Sequence, residues 1–426
     1  ITPVGKVIPT TLSDFRALMT NAYKIEQSAN GKSLTSLRSD ELSLIASNDE
    51  SKINRDIYIW NDLKHDDITR KFNWLIYYKI LVNVNHIIDE GNTATLGDRT
   101  DINQLIAEAH LLRAYTHFDL VNLYADVYSK DSKESLAIPL STSIDLGMDY
   151  KRNTVLEVYR QILADIVRAI PLFSVDTQAA NVNYRFSKVS AYGFAARVYM
   201  YMSEWDKASE YTKMALKLNN KLVDMNVKDA KLPIKYNSVE NVLAMEIPFG
   251  SSVKSVTYIS EKLINSYDKI GDKRFSLFFE ESTKVAGRYK STFGGSLIND
   301  KVSMRTAEFY LNMAETQVKS HSGDISVAKD YLKRLLVTRL TPEAYKKQEG
   351  LINVMTKDDF ANLVEVERMK ELACQGFRWF DLRRYGKPEI KKTYEGKEYV
   401  LRKNDPRYII PFPLEAIQNN ANLKDI

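Results

Sequence analysis

The sequence predicts a mainly α-helical protein, in which antiparallel helix pairs stack side by side and irregular, loop-rich insertions interrupt the stack. Three observations support this fold class. Several long stretches repeat apolar residues at three- and four-residue spacing, which is the period of an amphipathic helix. Small and aromatic residues recur at matching positions of two helix pairs. Two further stretches break the helical period.

The clearest helix prediction covers residues 102–127, where Leu105, Ala109 and Leu112 follow one another at helical spacing. The same period predicts helices in five more segments, most of which end near Gly, Pro, Asn or Asp. These segments are residues 67–89, 154–171, 187–218, 303–340 and 357–376. The fold class is therefore mainly α.

Two of these segments have the residue pattern of a tetratricopeptide repeat, which is a pair of antiparallel helices. Residues 187–218 supply its small, aromatic, small and small positions, namely Ala196, Tyr199, Ala208 and Ala215. Residues 307–336 are a looser copy that contains Ala314 and Ala328. Because a repeat pair cannot bury both of its faces alone, we expect the helices of 67–218 and 303–340 to stack on one another.

Two stretches, residues 223–299 and 341–359, do not follow the helical period. The first contains a short apolar run at 242–247 that ends at Pro248, and then segments rich in Ser, Thr, Gly and aromatic residues. We expect loops there, with one or two strands. Long irregular insertions in a helical scaffold usually carry binding specificity.

Length, composition and charge exclude several classes of protein. The 426 residues are 44% hydrophobic and 27% charged, which suits a globular chain with a large core. The net charge is only +5 and its two signs are interspersed, which argues against a nucleic-acid partner. No run of about 18 apolar residues could form a membrane span. Because the chain starts at Ile1 and not at Met, we expect that a targeting segment was removed.

Five segments of the chain have residue patterns that are shared with one known family of proteins. Three of them are WLIYYKILVNVNHIID (74–89), MRTAEFYLNMAET (304–316) and YIIPFPLEAIQNNANLK (408–424). A fourth, AEAHLLRAYTHFDLVNLYADV (107–127), is similar to the family's Arg-Ala-aromatic helix, with Ala125 in place of the usual Gly. The fifth, ERMKELACQGFRWFDLRRYG (367–386), is similar to the family's C-terminal signature. Together, the five segments resemble the SusD/RagB family of nutrient-binding outer-membrane lipoproteins.

The resemblance covers nearly the whole chain and implies both its organisation and its function. It implies a SusD-like α-α superhelix with an N-terminal part at residues 1–225 and a C-terminal part at 226–426, packed as one unit. It implies a surface lipoprotein that captures an oligosaccharide and delivers it to a SusC-like TonB-dependent transporter in the outer membrane. An oligopeptide ligand is the first alternative, and a scaffold that binds only protein is the second. No enzymatic activity and no cofactor are implied.

The C-terminal signature also has a physical interpretation that is independent of the family. It gathers seven charged side chains around apolar ones, namely Glu367, Arg368, Glu371, Arg378, Asp381, Arg383 and Arg384. This set suits a half-buried ion-pair network that clamps a helix end to the body of the protein. The same carboxylates could act as acid and base, but so many arginines should keep them ionised. We therefore predict a structural role and no catalytic residues.

A glycan site needs aromatic faces that stack on sugar rings and polar side chains that reach hydroxyl groups. Trp74 and Trp205 belong to predicted repeat helices and Trp379 belongs to the C-terminal signature, which leaves Trp60. Trp60 is interpreted either as a ligand platform or as a packed anchor. In the family, the segment around it and the earlier stretch at 39–41 often contribute to the pocket. The predicted ligand residues are Trp60, Tyr58, Asn61, Asp40, Tyr258 and Tyr289.

The positions of the histidines and of the cysteine in the sequence do not predict a metal site. His110 and His117 share a helix face, but they lie two turns, or roughly 10 Å, apart and lack a third ligand nearby. We expect them to be hydrogen-bonded histidines of the core or surface. Cys374 is predicted to be a buried thiol.

Overall fold

The structure is a computed structural model that describes residues 8–27, 31–46, 48–62, 70–144, 150–294 and 299–424. Within these ranges it contains seventeen α-helices and four two-stranded antiparallel sheets. The predicted mainly α fold class is confirmed.

Eight helices lie in the first half of the chain: α1 (Leu12–Gln27), α2 (Gly31–Arg38), α3 (Asp49–Tyr58), α4 (Trp74–Glu90), α5 (Arg99–Tyr124), α6 (Val155–Ala169), α7 (Lys188–Tyr201) and α8 (Trp205–Leu218). Nine follow: α9 (Ser251–Ser255), α10 (Glu261–Ile264), α11 (Lys273–Phe278), α12 (Thr306–Lys319), α13 (Ile325–Leu336), α14 (Pro342–Val354), α15 (Lys357–Glu371), α16 (Arg378–Arg384) and α17 (Leu414–Asn419).

The strands are short, and two of the four pairs among the described residues join segments that are far apart in sequence. They are β1 (Leu42–Leu44), β2 (Asn241–Leu243), β3 (Thr257–Ile259), β4 (Phe279–Glu281), β5 (Tyr289–Ser291), β6 (Met304–Arg305), β7 (Ile390–Tyr394) and β8 (Lys397–Leu401). The pairs are β1 with β3, β2 with β6, β4 with β5, and β7 with β8. The last pair is a tight hairpin whose turn residues, Glu395 and Gly396, both have positive φ, as a two-residue hairpin turn requires.

The long helices stack as the sequence predicts. The central helix α5 packs between α4 and α6 and is buried on nearly all sides. The two predicted repeats are the pairs α7–α8 and α12–α13, and α12 packs on both α7 and α8. The five small residues of the pattern are completely buried: Ala196, Ala208, Ala215, Ala314 and Ala328. Small side chains at these positions let the helix axes approach one another.

One glycine marks a close approach between helices in this stack. Gly193 lies in the middle of α7, where it faces the start of the second repeat. A Cβ atom at this position would lie 2.4 Å from Sδ of Met304 and 2.5 Å from Cε1 of Phe309. Only a residue without a side chain fits there, because such distances are shorter than van der Waals contact.

The two irregular stretches contain more regular structure than the sequence predicts. Residues 223–299 contain four strands and three short helices, each only three to six residues long, which is too short to show a period. The expectation of an irregular 341–359 segment is wrong, because α14 occupies most of it. This helix has Thr341 as its N-cap and Pro342 at its first position, and only Ile352 is buried. Without an apolar stripe, its sequence carries no helical period.

The predicted ion-pair network of the C-terminal signature is confirmed, and it is buried rather than half-buried. The Glu371 carboxylate accepts hydrogen bonds from Arg305 at 2.7 Å, from Arg339 at 2.9 Å and from Arg274 at 3.1 Å. Glu240 bridges Arg305 and Arg339 at 2.9 and 2.6 Å. We call these five residues the Glu371 network. All five side chains are at most 1% exposed.

The other charged residues of the signature hold different parts of the chain together. The Asp381 carboxylate accepts from Arg368 at 3.1 Å and from Arg384 at 2.9 Å, and Arg384 also pairs with Glu315 of α12. Arg383 instead donates to backbone carbonyls at the end of α5, including that of Ala125. The signature therefore clamps α15 and α16 to both halves of the helical stack.

Candidate functional site

Two clefts flank the β7–β8 hairpin. The larger, which we call the aromatic cleft, has a volume of about 880 Å³ and lies between the hairpin, the segment 59–62 after α3, and residues 406–412. The second, which we call the charged cleft, has a volume of about 710 Å³ and lies between strands β1 and β7, with residues 258–262 as a further wall. Both volumes are in the range of roughly 300–1,000 Å³ that small-molecule sites usually have.

Aromatic rings and planar polar groups line the aromatic cleft. Its aromatic residues are Trp60, Tyr124, Tyr394, Tyr399 and Phe412. Its polar residues are Arg55, Asn61, Asp62, Arg152, Glu395 and Arg407. Tyr399 is the half-buried ring of this set, whereas the other four rings are buried. The ring that can offer a face to a ligand is therefore that of Tyr399.

Trp60 is a packed anchor in the wall of the aromatic cleft. It is only 1% exposed, and its indole N–H donates to the carbonyl oxygen of Arg38 at 3.0 Å. Its backbone has a φ of 59°, in the left-handed region, and its ring belongs to a buried cluster with Trp379 and Tyr408. The sequence left two interpretations of Trp60 open, a ligand platform and a packed anchor. Its burial favours the packed anchor, because a stacking platform needs an exposed face.

Asn61, which follows Trp60, has the opposite environment. It is exposed at the rim of the aromatic cleft, and its side-chain amide donates to Asp56 at 3.3 Å. Asp62, the next residue, is held by Arg38 in a bidentate pair with both distances at 2.7 Å. A carboxylate fixed in this way helps to hold the wall of the cleft in place.

The predicted residues Asp40, Tyr58 and Tyr258 line the charged cleft. Burial alone would raise the pKa of Asp40, but Arg378 at 2.7 and 2.9 Å and Lys262 at 2.7 Å hold it well below its usual value. Tyr58 is buried, which raises its pKa to about 12. The half-buried ring of Tyr258 has the ammonium group of Lys290 5.6 Å from its centre. Five of the six predicted residues are thus divided between two neighbouring clefts.

Tyr289 lines neither the aromatic cleft nor the charged cleft. It stands on β5 with its ring 5.0 Å from that of Phe275, and the Lys269 ammonium group is 5.1 Å from the ring centre. Its role as a ligand residue stays a prediction, and the ring contacts describe a packing role.

Lys392 connects the two clefts through their common wall. Its buried ammonium group donates to the carbonyl oxygens of Leu37, Arg38 and Tyr58 at 2.8, 3.0 and 3.1 Å. It also lies 4.3 Å from the ring centre of Tyr58 and 4.6 Å from that of Trp60. Burial lowers the pKa of Lys392, whereas three acceptors and two ring faces favour its charged form. The hairpin is thereby fixed to the segment after α3.

Sequence reasoning missed Tyr399, Arg152 and Arg407, which the fold brings to the aromatic cleft. Arg152 donates to the carbonyl oxygens of Ala137 and Leu136 and lies 5.1 Å from the ring centre of Phe412. One signal was available for the hairpin, since Glu-Gly at 395–396 separates two short runs with strand-type residues. No comparable signal links residues 60, 152 and 399, which are far apart in sequence.

The two histidines of α5, His110 and His117, are buried and hydrogen-bonded. His110 Nδ1 lies 2.7 Å from Asp165 Oδ1, and His117 Nε2 accepts from the backbone N–H of Ser141 at 3.2 Å. Burial lowers the pKa of His117 to about 4. In the part of the chain that the structure describes, no group of three or more His, Cys, Asp or Glu residues could hold a metal ion. Over the same residues, no helix is both long and apolar enough to cross a bilayer.

Two family models match the chain. A model described as "starch-binding associating with outer membrane" matches residues 5–200, and the SusD family model matches residues 251–426. The chain belongs to the SusD/RagB family. This confirms the family that the five sequence motifs indicate, although the division at residue 225 stays a prediction.

Relatives of this SusD-like chain are distant in sequence and close in structure. Two SusD-like proteins of Formosa agariphila are 21% and 24% identical to it; the matches cover 77% and 82% of this chain and 74% and 78% of theirs. The crystal structure of a SusD superfamily protein of Bacteroides thetaiotaomicron matches with a TM-score of 0.81 at 21% identity, covering 97% of this chain and 99% of that one. A laminarin-binding SusD-like protein matches with a TM-score of 0.69 at 18% identity, covering 96% and 98%. The SusD fold is thus conserved at low identity.

In this SusD/RagB-family protein, the carboxylates of the C-terminal signature take part in buried ion pairs. Burial alone would raise the pKa of Glu371, but Arg339, Arg305 and Arg274 hold it well below its usual value. Arg384 has the same effect on Glu315, whose pKa falls to about 2. Carboxylates that stay ionised cannot donate a proton near neutral pH. The part of the SusD-like protein that suits a ligand is therefore the pair of clefts, not the signature.

Proposed function

We propose that this SusD-like protein is a surface lipoprotein of the outer membrane that captures an oligosaccharide in the aromatic cleft and delivers it to a SusC-like TonB-dependent transporter. The observation that carries the proposal is the cleft itself: about 880 Å³, lined by five aromatic residues with guanidinium, amide and carboxylate groups between them. A starch-binding family description and a laminarin-binding structural neighbour support a glycan ligand.

The lining of the aromatic cleft suits sugar chemistry in two ways. The half-buried ring of Tyr399 supplies a flat apolar surface for the C–H face of a sugar ring, at little cost in side-chain entropy. Asn61 and Arg407 supply amide and guanidinium donors for hydroxyl oxygens, and Arg407 is itself oriented by Asp405 at 2.7 Å. Stacking and directional donors together recognise a neutral, hydroxyl-rich ligand.

An oligopeptide is the second candidate ligand, and the charged cleft favours it. Strands β1 and β7 line this cleft, and each pairs with one neighbour only among the described residues. Each strand therefore has an edge to which an extended peptide could add. Side chains of both signs surround the cleft, among them Glu261, Arg288 and Lys391. These groups suit the charged ends and side chains of a peptide better than a neutral sugar.

The test compares one aromatic residue from each cleft. Glycan binding would be measured by calorimetry for the wild type, Tyr399→Ala and the matched variant Tyr258→Ala, with peptides as a second ligand set. We expect Tyr399→Ala to weaken glycan binding roughly two- to tenfold, because one stacked ring contributes about 0.5–1.5 kcal/mol, and Tyr258→Ala to change it little. Trp60→Ala is unsuitable, because removing a buried tryptophan costs about 3–5 kcal/mol of stability.

Two outcomes would overturn the glycan proposal. If only peptides bind, and Tyr258→Ala weakens them while Tyr399→Ala does not, the oligopeptide alternative replaces it. If neither ligand class binds the folded protein, the remaining alternative is a scaffold for other proteins. Delivery is tested separately, by purifying the lipidated protein from outer membranes and identifying whether a TonB-dependent transporter accompanies it. Recovery without a transporter would contradict that part of the proposal.

A further inference from the structure

A third cavity, which we call the lysine pocket, lies where the loop after α5 meets the start of α6 and the turn between α7 and α8. It has a volume of about 380 Å³, within the range of roughly 300–1,000 Å³ that small-molecule sites usually have. It shares no lining residue with either cleft. Its lining consists of Tyr128, Ser129, Lys130, Ser132, Lys133, Leu156, Met202 and Ser203.

The charge of the lysine pocket is positive. Lys130 and Lys133 line it, and no carboxylate lines it in the described part of the chain. Asp131 and Glu134 belong to the same loop but lie outside the lining. Among the described residues, no carboxylate pairs with Lys130, and Lys133 has Glu134 at 3.9 Å, with both side chains mostly exposed. Because such exposed pairs contribute little to stability, both ammonium groups are available to an anion.

Hydroxyl groups and apolar surface complete the lining of the lysine pocket. Ser129 and Ser203 are exposed, and their hydroxyl groups can donate to an oxyanion. Tyr128, Leu156 and Met202 are half-buried. Their accessible parts offer an aromatic ring and two aliphatic side chains to the body of a ligand. The pocket therefore combines positive charge with an apolar wall.

Backbone hydrogen bonds fix both walls of the lysine pocket. On one side, the Ser129 N–H donates to the Ser132 hydroxyl at 2.7 Å, and the Leu156 N–H donates to the Ser132 carbonyl at 2.9 Å. On the other side, the Ser203 N–H donates to the Met200 carbonyl at 3.2 Å, and Ser203 has a φ of 59°. Walls that are already ordered lose little conformational entropy when a ligand binds.

We infer that the lysine pocket binds a phosphate or sulfate ester that is carried on a small ring. The ammonium groups of Lys130 and Lys133 bind the oxyanion as point charges, and the ring packs on Tyr128, Leu156 and Met202. This inference goes beyond the proposed function and does not depend on it, because the residues are different. The same ester occurs on soluble sugars and on lipid headgroups, and the test separates these two sources.

The test follows the ¹³C-methyl signal of Met202 in NMR spectra of the full chain, because this methionine lines the pocket. Its loss in Met202→Leu assigns the signal. Glucose 6-phosphate and glucose 6-sulfate are the soluble probes, and glucose and inorganic phosphate are controls that lack the charge and the ring. Phosphatidylcholine vesicles with and without phosphatidylinositol 4-phosphate present the ester on a membrane.

Two double variants separate the pocket from the general charge of the surface. Lys130→Gln with Lys133→Gln removes both charges from the lining. Lys213→Gln with Lys217→Gln is the matched control, because these two lysines are also exposed but do not line the pocket. All four positions are exposed, and thermal unfolding would verify that both double variants remain folded.

We expect at least one ester probe to shift the Met202 signal to saturation in the wild type and in the control variant. Removing both pocket lysines should raise its dissociation constant by about tenfold or more, because a hydrogen bond to a charged group contributes about 1.5–3 kcal/mol. Among the ester probes, a response to the vesicles alone would identify a lipid headgroup, and a response to the soluble esters alone would identify a soluble sugar.

Three results would overturn the inference. The first is that no ester probe shifts the Met202 signal. The second is that the variant without Lys130 and Lys133 binds the ester as tightly as the wild type does. The third is that glucose or inorganic phosphate alone binds as tightly as the ester, because the pocket would then recognise a neutral ring or an adventitious ion only.

Discussion

Arginine side chains are buried in one region of this SusD-like protein and partly exposed in another. In the Glu371 network, the guanidinium groups of Arg274, Arg305 and Arg339 are buried and turned toward carboxylates. In the aromatic cleft, the side chains of Arg55 and Arg407 are 30% and 43% exposed and border an open volume. The residue type is the same, so the surroundings that the fold supplies decide whether an arginine stabilises the core or borders an open cleft.

The largest effect that separates the two regions should follow from Glu371→Ala. This change leaves three buried guanidinium groups without their common acceptor, and we expect it to lower the free energy of unfolding by about 3–5 kcal/mol. Urea denaturation followed by circular dichroism would measure it. If the variant does not accumulate as folded protein, limited proteolysis of the soluble fraction gives the same comparison.

The matched change on the cleft side is Glu395→Ala at the exposed hairpin turn. Surface substitutions of this kind usually change stability by less than about 0.5 kcal/mol. The contrast between the Glu371 network and the aromatic cleft would be wrong if Glu395→Ala lowered the free energy of unfolding as much as Glu371→Ala does. It would also be wrong if Glu371→Ala left that free energy unchanged. Either result would mean that the buried arginines find other acceptors.

A buried carboxylate outside the network sharpens the comparison through its pH dependence. Glu41 is only 1% exposed, and its hydrogen-bond donors are the Cys374 backbone N–H at 2.8 Å and the Ser39 hydroxyl at 3.3 Å. Burial raises its pKa from 4.5 to about 7. The unfolded chain therefore ionises first as the pH rises, and the stability that the protonated Glu41 contributes is lost between about pH 4.5 and pH 7.

Glu41→Gln should remove this pH dependence because its side chain stays neutral. Between pH 5 and pH 8, we expect the unfolding free energy of the wild type to fall by roughly 2–3 kcal/mol relative to that of the variant. Glu371 has the opposite sign, since its lowered pKa gives stability that is lost as the pH falls. A difference between wild type and Glu41→Gln that stays constant over this range would show that Glu41 is ionised in the folded protein.

The helical stack was largely predictable from local patterns, and the Glu371 network was only partly so. The period at 102–127 and the small residues at 196 and 208 reflect neighbours within a helix pair, which sequence spacing reports directly. The signature showed that carboxylates would meet arginines. It could not show that Arg274, Arg305 and Arg339 are the partners of Glu371, because these lie 32 to 97 residues away in sequence.

The candidate site was predicted by residue type but not by arrangement. The segment around Trp60 does line a cleft, yet the tryptophan is buried, because a left-handed backbone conformation and a bond to the Arg38 carbonyl turn its ring inward. The half-buried Tyr399, on a hairpin near the other end of the chain, is the more accessible ring of this cleft. Pairing between distant segments depends on tertiary contacts that a one-dimensional period does not contain.

Two glycines test how tightly the chain packs in the buried helix α7 and in the exposed helix α14. Gly193→Ala in α7 would press a methyl group against Met304 and Phe309, and we expect a loss of about 1–3 kcal/mol in unfolding free energy. Gly350→Ala, in the middle of the exposed helix α14, meets nothing within 4 Å and should instead stabilise the protein by about 0.5–1 kcal/mol. Thermal unfolding of both variants would measure the pair. If both variants changed the unfolding free energy equally and with the same sign, α7 could move away from the start of α12. The core around Gly193 would then be less tightly packed than its distances indicate.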